Sequence, residues 1–268
     1  MSALTFTLKS QPQQRIDLSP LTPDNLAGKA AAEIGALGLY CGKSKLRVDS
    51  LFDIAGDDAS DIVIRNGCSK LDYIGHGMKS GRITVHGGAG SYLGFQMRKG
   101  EIVLHGDADA FAAGELAGGM IHINGNVGDY LASAIAGHKK GMKGGTVIVT
   151  GNAGERVGDQ MRRGLLLIEG SVGNYCASRM LAGTIGVLGK VGQYSGYGMR
   201  RGTLLLNEAP ALHATIQDCG THTLPYLSLM FKSFGKLPTK FARINKNRVQ
   251  RYAGDLANDG KGEILVFK

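Results

Sequence analysis

Between Ser80 and Asn207 the chain repeats one hydrophobic–polar phrase seven times. A Gly is followed by five residues: Gly81-RITVH, Gly100-EIVLH, Gly119-MIHIN, Gly145-TVIVT, Gly164-LLLIE, Gly183-TIGVL and Gly202-TLLLN. The second and fourth positions after each Gly are always aliphatic, from Ile83 and Val85 to Leu204 and Leu206. Alternation with period two places them on one face of a short strand. The glycines are 19, 19, 26, 19, 19 and 19 residues apart. Three residues before each stands Met78, Met97, Leu116, Met142, Met161, Met180 or Met199. A fixed period near twenty predicts a solenoid with one coil per repeat, its aliphatic pairs stacked about 4.8 Å apart as inward ladders. The Met positions fill a corner where a flexible thioether packs well. Glycines before it, such as Gly90, Gly94, Gly154, Gly158, Gly173, Gly192 and Gly196, suit tight corners.

The flanks read differently. Thr5–Leu8 predicts a short strand. Thr22-Pro23-Asp24 predicts a helix start, with a capping hydroxyl, Pro at the first helical position and an acid in the first turn. The Ala-rich stretch to Ile34 continues that helix to a stop at Gly35 or Gly38. Lys45–Ile54 reads as strand, and Ile62-Val63-Ile64 as an irregular first coil. The longer interval marks an insertion of seven residues within roughly 131–141, carrying His138, Lys139 and Lys140, with Lys143 just after. Insertions in solenoids emerge as loops on one side, often a binding side. Leu224–Phe234 predicts a helix or packed arm closing the solenoid end, and the chain finishes in a turn and strand. The expected organisation is an N-terminal strand–helix extension (1–45), the Gly-rich repeats (46–207) and a C-terminal capping segment (208–268).

Composition changes this picture little. Gly is 42 residues and Pro only 6, so the glycines are a periodic device and not a sign of disorder. A formal charge of +9 calls for an acidic partner without choosing one. Cys41, Cys68, Cys176 and Cys219 form no C-x-x-C pair, so no zinc or iron–sulfur site is indicated. Met1–Gln11 carries no signal peptide, and reduced thiols in the cytoplasm are expected. No apolar run reaches membrane-spanning length.

Candidate chemistry is sparse. Cys41-Gly42-Lys43-Ser44 lacks the earlier Gly of a phosphate loop, and Gly75-His76-Gly77-Met78 belongs to the repeat. His86 and His105 share a position in adjacent coils and should lie about 5 Å apart, near enough to share a metal or to form a solvated polar ladder. The basic residues are more regular. Lys79, Arg98, Lys143, Arg162 and Arg200 share one position; Lys99, Arg163 and Arg201 share the next. Together with Lys139 and Lys140 they form either a solvated edge or an anion-binding strip. A second basic run, Lys232 to Arg251, has no acid, but its aromatics Phe231, Phe234 and Phe241 make no stacking motif, which argues against nucleic acid.

The unit Gly-x-x-x-Gly-x-x-Met-x-x-Gly, as in Gly90-Ser-Tyr-Leu-Gly94-Phe-Gln-Met97-Arg-Lys-Gly100, resembles the C subunits of formylmethanofuran dehydrogenase and of the bacterial formyltransferase/hydrolase complex. The same module also closes the large subunit of glutamate synthase. The likeness covers nearly the whole chain, from Leu21-Thr22-Pro23 to the final Gly-Asp-Leu-Ala…Gly-Lys-Gly-Glu, and favours the bacterial complex. It implies a mainly β protein: a right-handed parallel β-helix of about seven or eight coils with short helical extensions. It implies a noncatalytic subunit, with no cofactor of its own. Its partners would be amidohydrolase-like, formyltransferase and dehydrogenase-B-like subunits. Zinc is expected on another subunit, and the complex would use a methanofuran-type carrier and tetrahydromethanopterin in formaldehyde oxidation. The carrier's polyglutamate tail is then a candidate ligand for Arg98, Lys99, Lys139, Lys140, Lys143, Arg162, Arg163, Arg200 and Arg201. An archaeal-type dehydrogenase subunit, a glutamate-synthase-like domain and a catalytic solenoid using His86 and His105 are the alternatives.

Overall fold

The repeats form a parallel ladder in constant register. In the computed structural model, which describes residues 2–268, each repeat strand pairs in parallel with the next. Ile83 lies beside Ile102, Ile102 beside Ile121, Ile121 beside Val147, Val147 beside Leu166, Leu166 beside Ile185 and Ile185 beside Leu204. The aliphatic residues at the second and fourth positions of all seven repeats are 0% exposed. Burying each one from water is worth about 1.5–3 kcal/mol, set against the entropy of ordering a Gly-rich chain. The insertion leaves the register intact, because Ile121 and Val147 still pair across it. A second line of parallel bridges runs through Ala89, Ala108, Val127, Ala153, Val172 and Val191. The six methionines and Leu116 are buried between these lines.

Both ends of the ladder are completed by distant segments. Asp58–Gly67 pairs with Arg82–Gly87, then Ala3–Leu8 lies parallel to Asp58–Gly67, and Phe52–Ala55 closes that edge antiparallel. At the other end Lys261–Phe267 lies parallel to Arg201–Leu206, followed by antiparallel Arg248–Gly254 and Gln217–Thr223. The result is a mainly β protein with one thirteen-stranded sheet, a four-stranded sheet and few helices.

The helix start is as expected: Thr22 caps it, with Pro23 at its first turn. Asp24 then accepts hydrogen bonds from the Lys79 amide (2.6 Å) and Ser80 Oγ (2.8 Å), docking the helix on the first repeat. The single helix expected through Ile34 is instead two, Pro23–Leu26 and Ala31–Ala36. Gly28, at φ +74°, breaks it, since a left-handed residue cannot continue a right-handed helix. Lys45–Ile54 is likewise not one strand. Ser44–Arg47 and Phe52–Ala55 flank a helical turn, Val48–Leu51, closed by Ser50 Oγ donating to the Arg47 carbonyl at 2.6 Å.

The segment expected to close the solenoid end lies over the sheet's outward face. The third position of the late repeats reads Ile148, Leu167, Gly186 and Leu205, too apolar for solvent. Leu167 and Leu205 join one cluster with Leu227, Phe231, Phe234, Phe241, Val249 and Phe267. Gly186 makes room for Phe241, whose ring lies 2.7 Å from where a Cβ would stand. Glu169 fastens the segment, accepting from the Lys240 amide (2.7 Å) and Thr239 Oγ1 (3.0 Å).

The inward ladder makes a direct prediction. Ile121→Asp places an unpaired charge where nothing can solvate it and should cost about 3–5 kcal/mol. Urea unfolding of the purified chain measures this, and a midpoint equal to the wild type would mean that Ile121 does not face the core.

Candidate anion-binding face

The basic residues are placed by the buried methionines. The Met78 carbonyl accepts from the amides of Arg98 (2.8 Å) and Lys99 (3.3 Å) in the next repeat. The Met142 carbonyl does the same for Arg162 (2.8 Å) and Arg163 (3.2 Å), and the Met180 carbonyl accepts from Arg200 (2.8 Å). Each side chain therefore leaves the rigid edge at a repeated point. Arg98, Lys99, Lys139, Lys140, Lys143, Arg162, Arg163, Arg200 and Arg201 are all exposed. Among the described residues only Lys143 of these nine has a carboxylate within reach, Glu115 at 3.3 Å. Ala117 and Leu181 interrupt the series, which spaces the like charges into separate groups.

The inserted loop brings part of the set together. Glu115, only 3% exposed, accepts from His138 Nδ1, from Gln96 Nε2 (3.1 Å) and from Lys143 Nζ (3.3 Å). Burial pushes the Glu115 carboxyl up, but these hydrogen bonds and the Lys143 charge outweigh it and hold the group below its ordinary value. Asp159 is 2% exposed and accepts from Ser178 Oγ (2.7 Å) and from Arg179 through Nε (2.9 Å) and Nη2. Between the loop and the following repeats lies a groove of about 630 Å³ lined by Lys139, Lys140, Gln160, Arg179, Leu181, Tyr197, Arg200 and Asn258. Lys143 lines an adjoining hollow with Glu115, His138, Lys139 and Lys140. Arg98, Lys99, Arg162, Arg163 and Arg201 lie along the edge outside that groove.

Arg179 and Tyr197 are absent from the sequence-derived set, and so is the corner they belong to. Tyr73, Tyr92, Phe111 and Tyr130 stack with centroids 4.6, 5.2 and 4.7 Å apart. Arg156 then takes the equivalent position, its guanidinium 4.5 Å from the Tyr175 ring, and Tyr175 stacks on Tyr194 at 5.0 Å. All seven sit at positive φ, a cost that stacking offsets. Their recurrence at the repeat interval is the signal in the sequence that could have found them.

His86 and His105 stack at 5.0 Å, and Asn124 continues the line with a hydrogen bond of 3.2 Å to His105. No group of three or more His, Cys, Asp or Glu placed to hold a metal ion occurs among the described residues. Burial pushes the Cys176 thiol up to about 12, which removes it as a nucleophile. No helix among the described residues is long and apolar enough to cross a membrane.

Glu115 gives the insertion a defined pH response. A carboxyl held below its unfolded value adds stability above that value and loses it as the pH falls through the folded one. The loop should therefore be clamped at neutral pH and loosen in acid. Glu115→Ala should cost about 1–3 kcal/mol and speed amide exchange across 136–141 at neutral pH. Hydrogen exchange that matches the wild type in that segment would show that Glu115 does not hold the loop.

The sequence profile of the GXGXG motif family matches residues 62–222. The C subunit of the Fhc formyltransferase/hydrolase complex of Methylorubrum extorquens is 38% identical over 86 residues, 32% of each chain. The C subunit of molybdenum-containing formylmethanofuran dehydrogenase 1 of Methanosarcina barkeri is 36% identical over 81 residues, 28% of this chain and 27% of that one. These alignments span about a third or less of the relatives' length. A chain in the crystal structure of the M. extorquens complex FhcABCD, solved with methylofuran, matches much further: 37% identity, TM-score 0.93, 98% of this chain and 99% of that one. With the repeat, the ladder and the flanking segments all matched, the chain belongs to the GXGXG motif family and, within it, to the C subunits of formyltransferase/hydrolase complexes.

Proposed function

We propose that the chain is a noncatalytic scaffold subunit of a formyltransferase/hydrolase complex. In this reading the repeats wind as a right-handed parallel β-helix, the hand favoured for parallel crossovers. The complex converts formyl-tetrahydromethanopterin through formyl-methanofuran to formate. Transfer and hydrolysis occur on a formyltransferase subunit and a zinc-dependent amidohydrolase-like subunit, beside a dehydrogenase-B-like subunit. The observation carrying the reading is the full-length likeness to a chain of FhcABCD, at 37% identity. That likeness favours the bacterial complex over the archaeal dehydrogenases, while in sequence alone the C subunits of both align over about a third of this chain or less. The ladder supports a scaffold role, since its inward strand positions are all aliphatic and its cations are held on a rigid edge.

The basic edge serves this role as an anion-binding surface for the acidic tail of the carrier. Arg98, Lys99, Lys139, Lys140, Arg162, Arg163, Arg200 and Arg201 have no carboxylate partner among the described residues, so they are available to one outside the chain. Such an edge raises the local carrier concentration and lets its reactive end reach different active sites. The chain itself holds no cofactor in this scheme.

Co-expression with and without this chain tests the scaffold. Its omission should lower the yield of assembled complex by about tenfold or more, since an obligate interface is lost. The purified chain alone should neither hydrolyse nor transfer formyl groups. Formyl turnover by the isolated chain, free of the other subunits, would contradict the reading, as would a fully active complex lacking it.

A further inference from the structure

The basic run from Lys232 to Arg251 plays no part in the anion-binding edge, and the fold sets it on a different face. It belongs to the arm over the outward face of the late repeats, where Phe231, Phe234 and Phe241 pack with Leu167 and Leu205. In the helix Tyr226–Phe234 the buried residues are Leu227, Phe231 and Phe234, so the helical period turns Leu229, Lys232 and Ser233 outward. Leu229 is 70% exposed. Between this helix and the 3-10 turn Lys240–Arg243 runs a cleft of about 370 Å³. Phe231, Ala242 and Ile244 give it apolar walls, and the exposed Lys232 and Arg243 line it as well.

Charge on this face is unbalanced. From Phe231 to Arg251 the chain has no acidic residue. The acids that reach the arm from elsewhere are already engaged. Glu169 takes Lys240 (3.1 Å), and Glu263 takes Arg251 (3.3 Å) and the Tyr226 hydroxyl (2.8 Å). Asp218 accepts from Gln250 Nε2 and from the Gly220 amide. Lys232, Lys236, Arg243, Lys246 and Arg248 are exposed, with no carboxylate in reach among the described residues. Both walls of the cleft are fixed in advance. The Leu224 amide ties the helix to the Asn247 carbonyl (2.7 Å), while Glu169 and the seat of Phe241 over Gly186 hold the turn. A preformed wall spares the ordering cost of binding.

We propose that this cleft docks an acidic segment of a partner protein. One apolar side chain of the segment enters between Phe231 and Ile244, and carboxylates on either side of it meet Lys232 and Arg243. The proposal goes beyond the carrier-binding edge and does not depend on it. Surplus positive charge around an apolar hollow is the complement of that combination. Single-stranded nucleic acid binds by stacking on exposed rings, whereas Phe231, Phe234 and Phe241 are buried. A membrane surface needs a broad apolar face, and this helix exposes two large apolar side chains, Leu229 and Tyr226. The cleft lies near the lower end of the ligand-sized range, about 300–1,000 Å³, which suits a short segment. Lys236, Lys246 and Arg248 extend the positive field around it, so binding weakens with salt.

The test compares hydrogen exchange over 226–245 in the isolated full chain and in the assembled complex. The complex should slow that segment about tenfold or more. Equal exchange in both would overturn the proposal. Lys232→Glu/Arg243→Glu should return the segment to the rate of the isolated chain, with an unchanged melting curve because both residues are exposed. Lys29→Glu/Lys43→Glu changes net charge equally at exposed positions on other elements and should keep the protection. Loss of protection in both double variants would show that net charge and not the cleft holds the partner, and the proposal fails. The chemistry is read with a defined probe, a peptide of one leucine flanked by three glutamates on each side, added to the isolated chain at low salt. It should protect the same segment, and replacing its leucine by serine should weaken binding about tenfold. A peptide that leaves the segment exchanging as before would overturn the proposal. Protection by phosphatidylglycerol vesicles or by polyuridine in its place would assign the face to a membrane or to nucleic acid.

Discussion

Every feature of this protein depends on one constraint: parallel strands stacked in constant register. A single repeat cannot bury two aliphatic residues and a Met by itself. Stacking buries them all, and the same register brings the carbonyls of Met78, Met97, Met142 and Met161 each over two amides of the next repeat. A slip of one residue would turn Ile102 and Leu104 outward and put Val103 inward, while dragging the basic pair off its carbonyl. Packing and charge placement are therefore fixed together. The positive-φ corners follow from the same constraint, with aromatic rings stacked where glycine would be conformationally easier.

The repeat makes the ladder legible, because aliphatic alternation and a constant interval leave few other structures open. The cationic edge follows by register alone. The groove does not. It depends on a seven-residue insertion that folds back onto Glu115, a residue unremarkable in the sequence until His138 and Lys143 are seen to share it. Arg179 is hidden for a similar reason, since its orientation is set by Asp159 from the preceding repeat. The early helix reads as one because an Ala-rich run masks the break at Gly28. The C-terminal strands extend the end of the stack, but the helical arm at 224–234 lies over the outward face of the late repeats and those strands, because alternation there does not leave a polar outward face. Leu167 and Leu205 on that face already indicate a cover.

The architecture separates stability from interaction. The interior is apolar and repetitive, and its loss would be felt along the stack. The outer features are all departures from the repeat: the insertion, the Arg156 break in the aromatic stack, and Gly186 with Phe241 seated on it. Such departures cost order in a periodic structure, and at Gly186 the departure makes room for another segment of the chain. A rigid ladder with local departures from the repeat suits the proposed scaffold role.

The scaffold assignment is tested most directly by tagging this chain in its native host and weighing what it carries by native mass spectrometry. The account predicts one heteromeric assembly containing this chain at fixed stoichiometry, with formyl-hydrolysing activity eluting at the same position. A chain recovered alone, with that activity in fractions that lack it, would contradict the account.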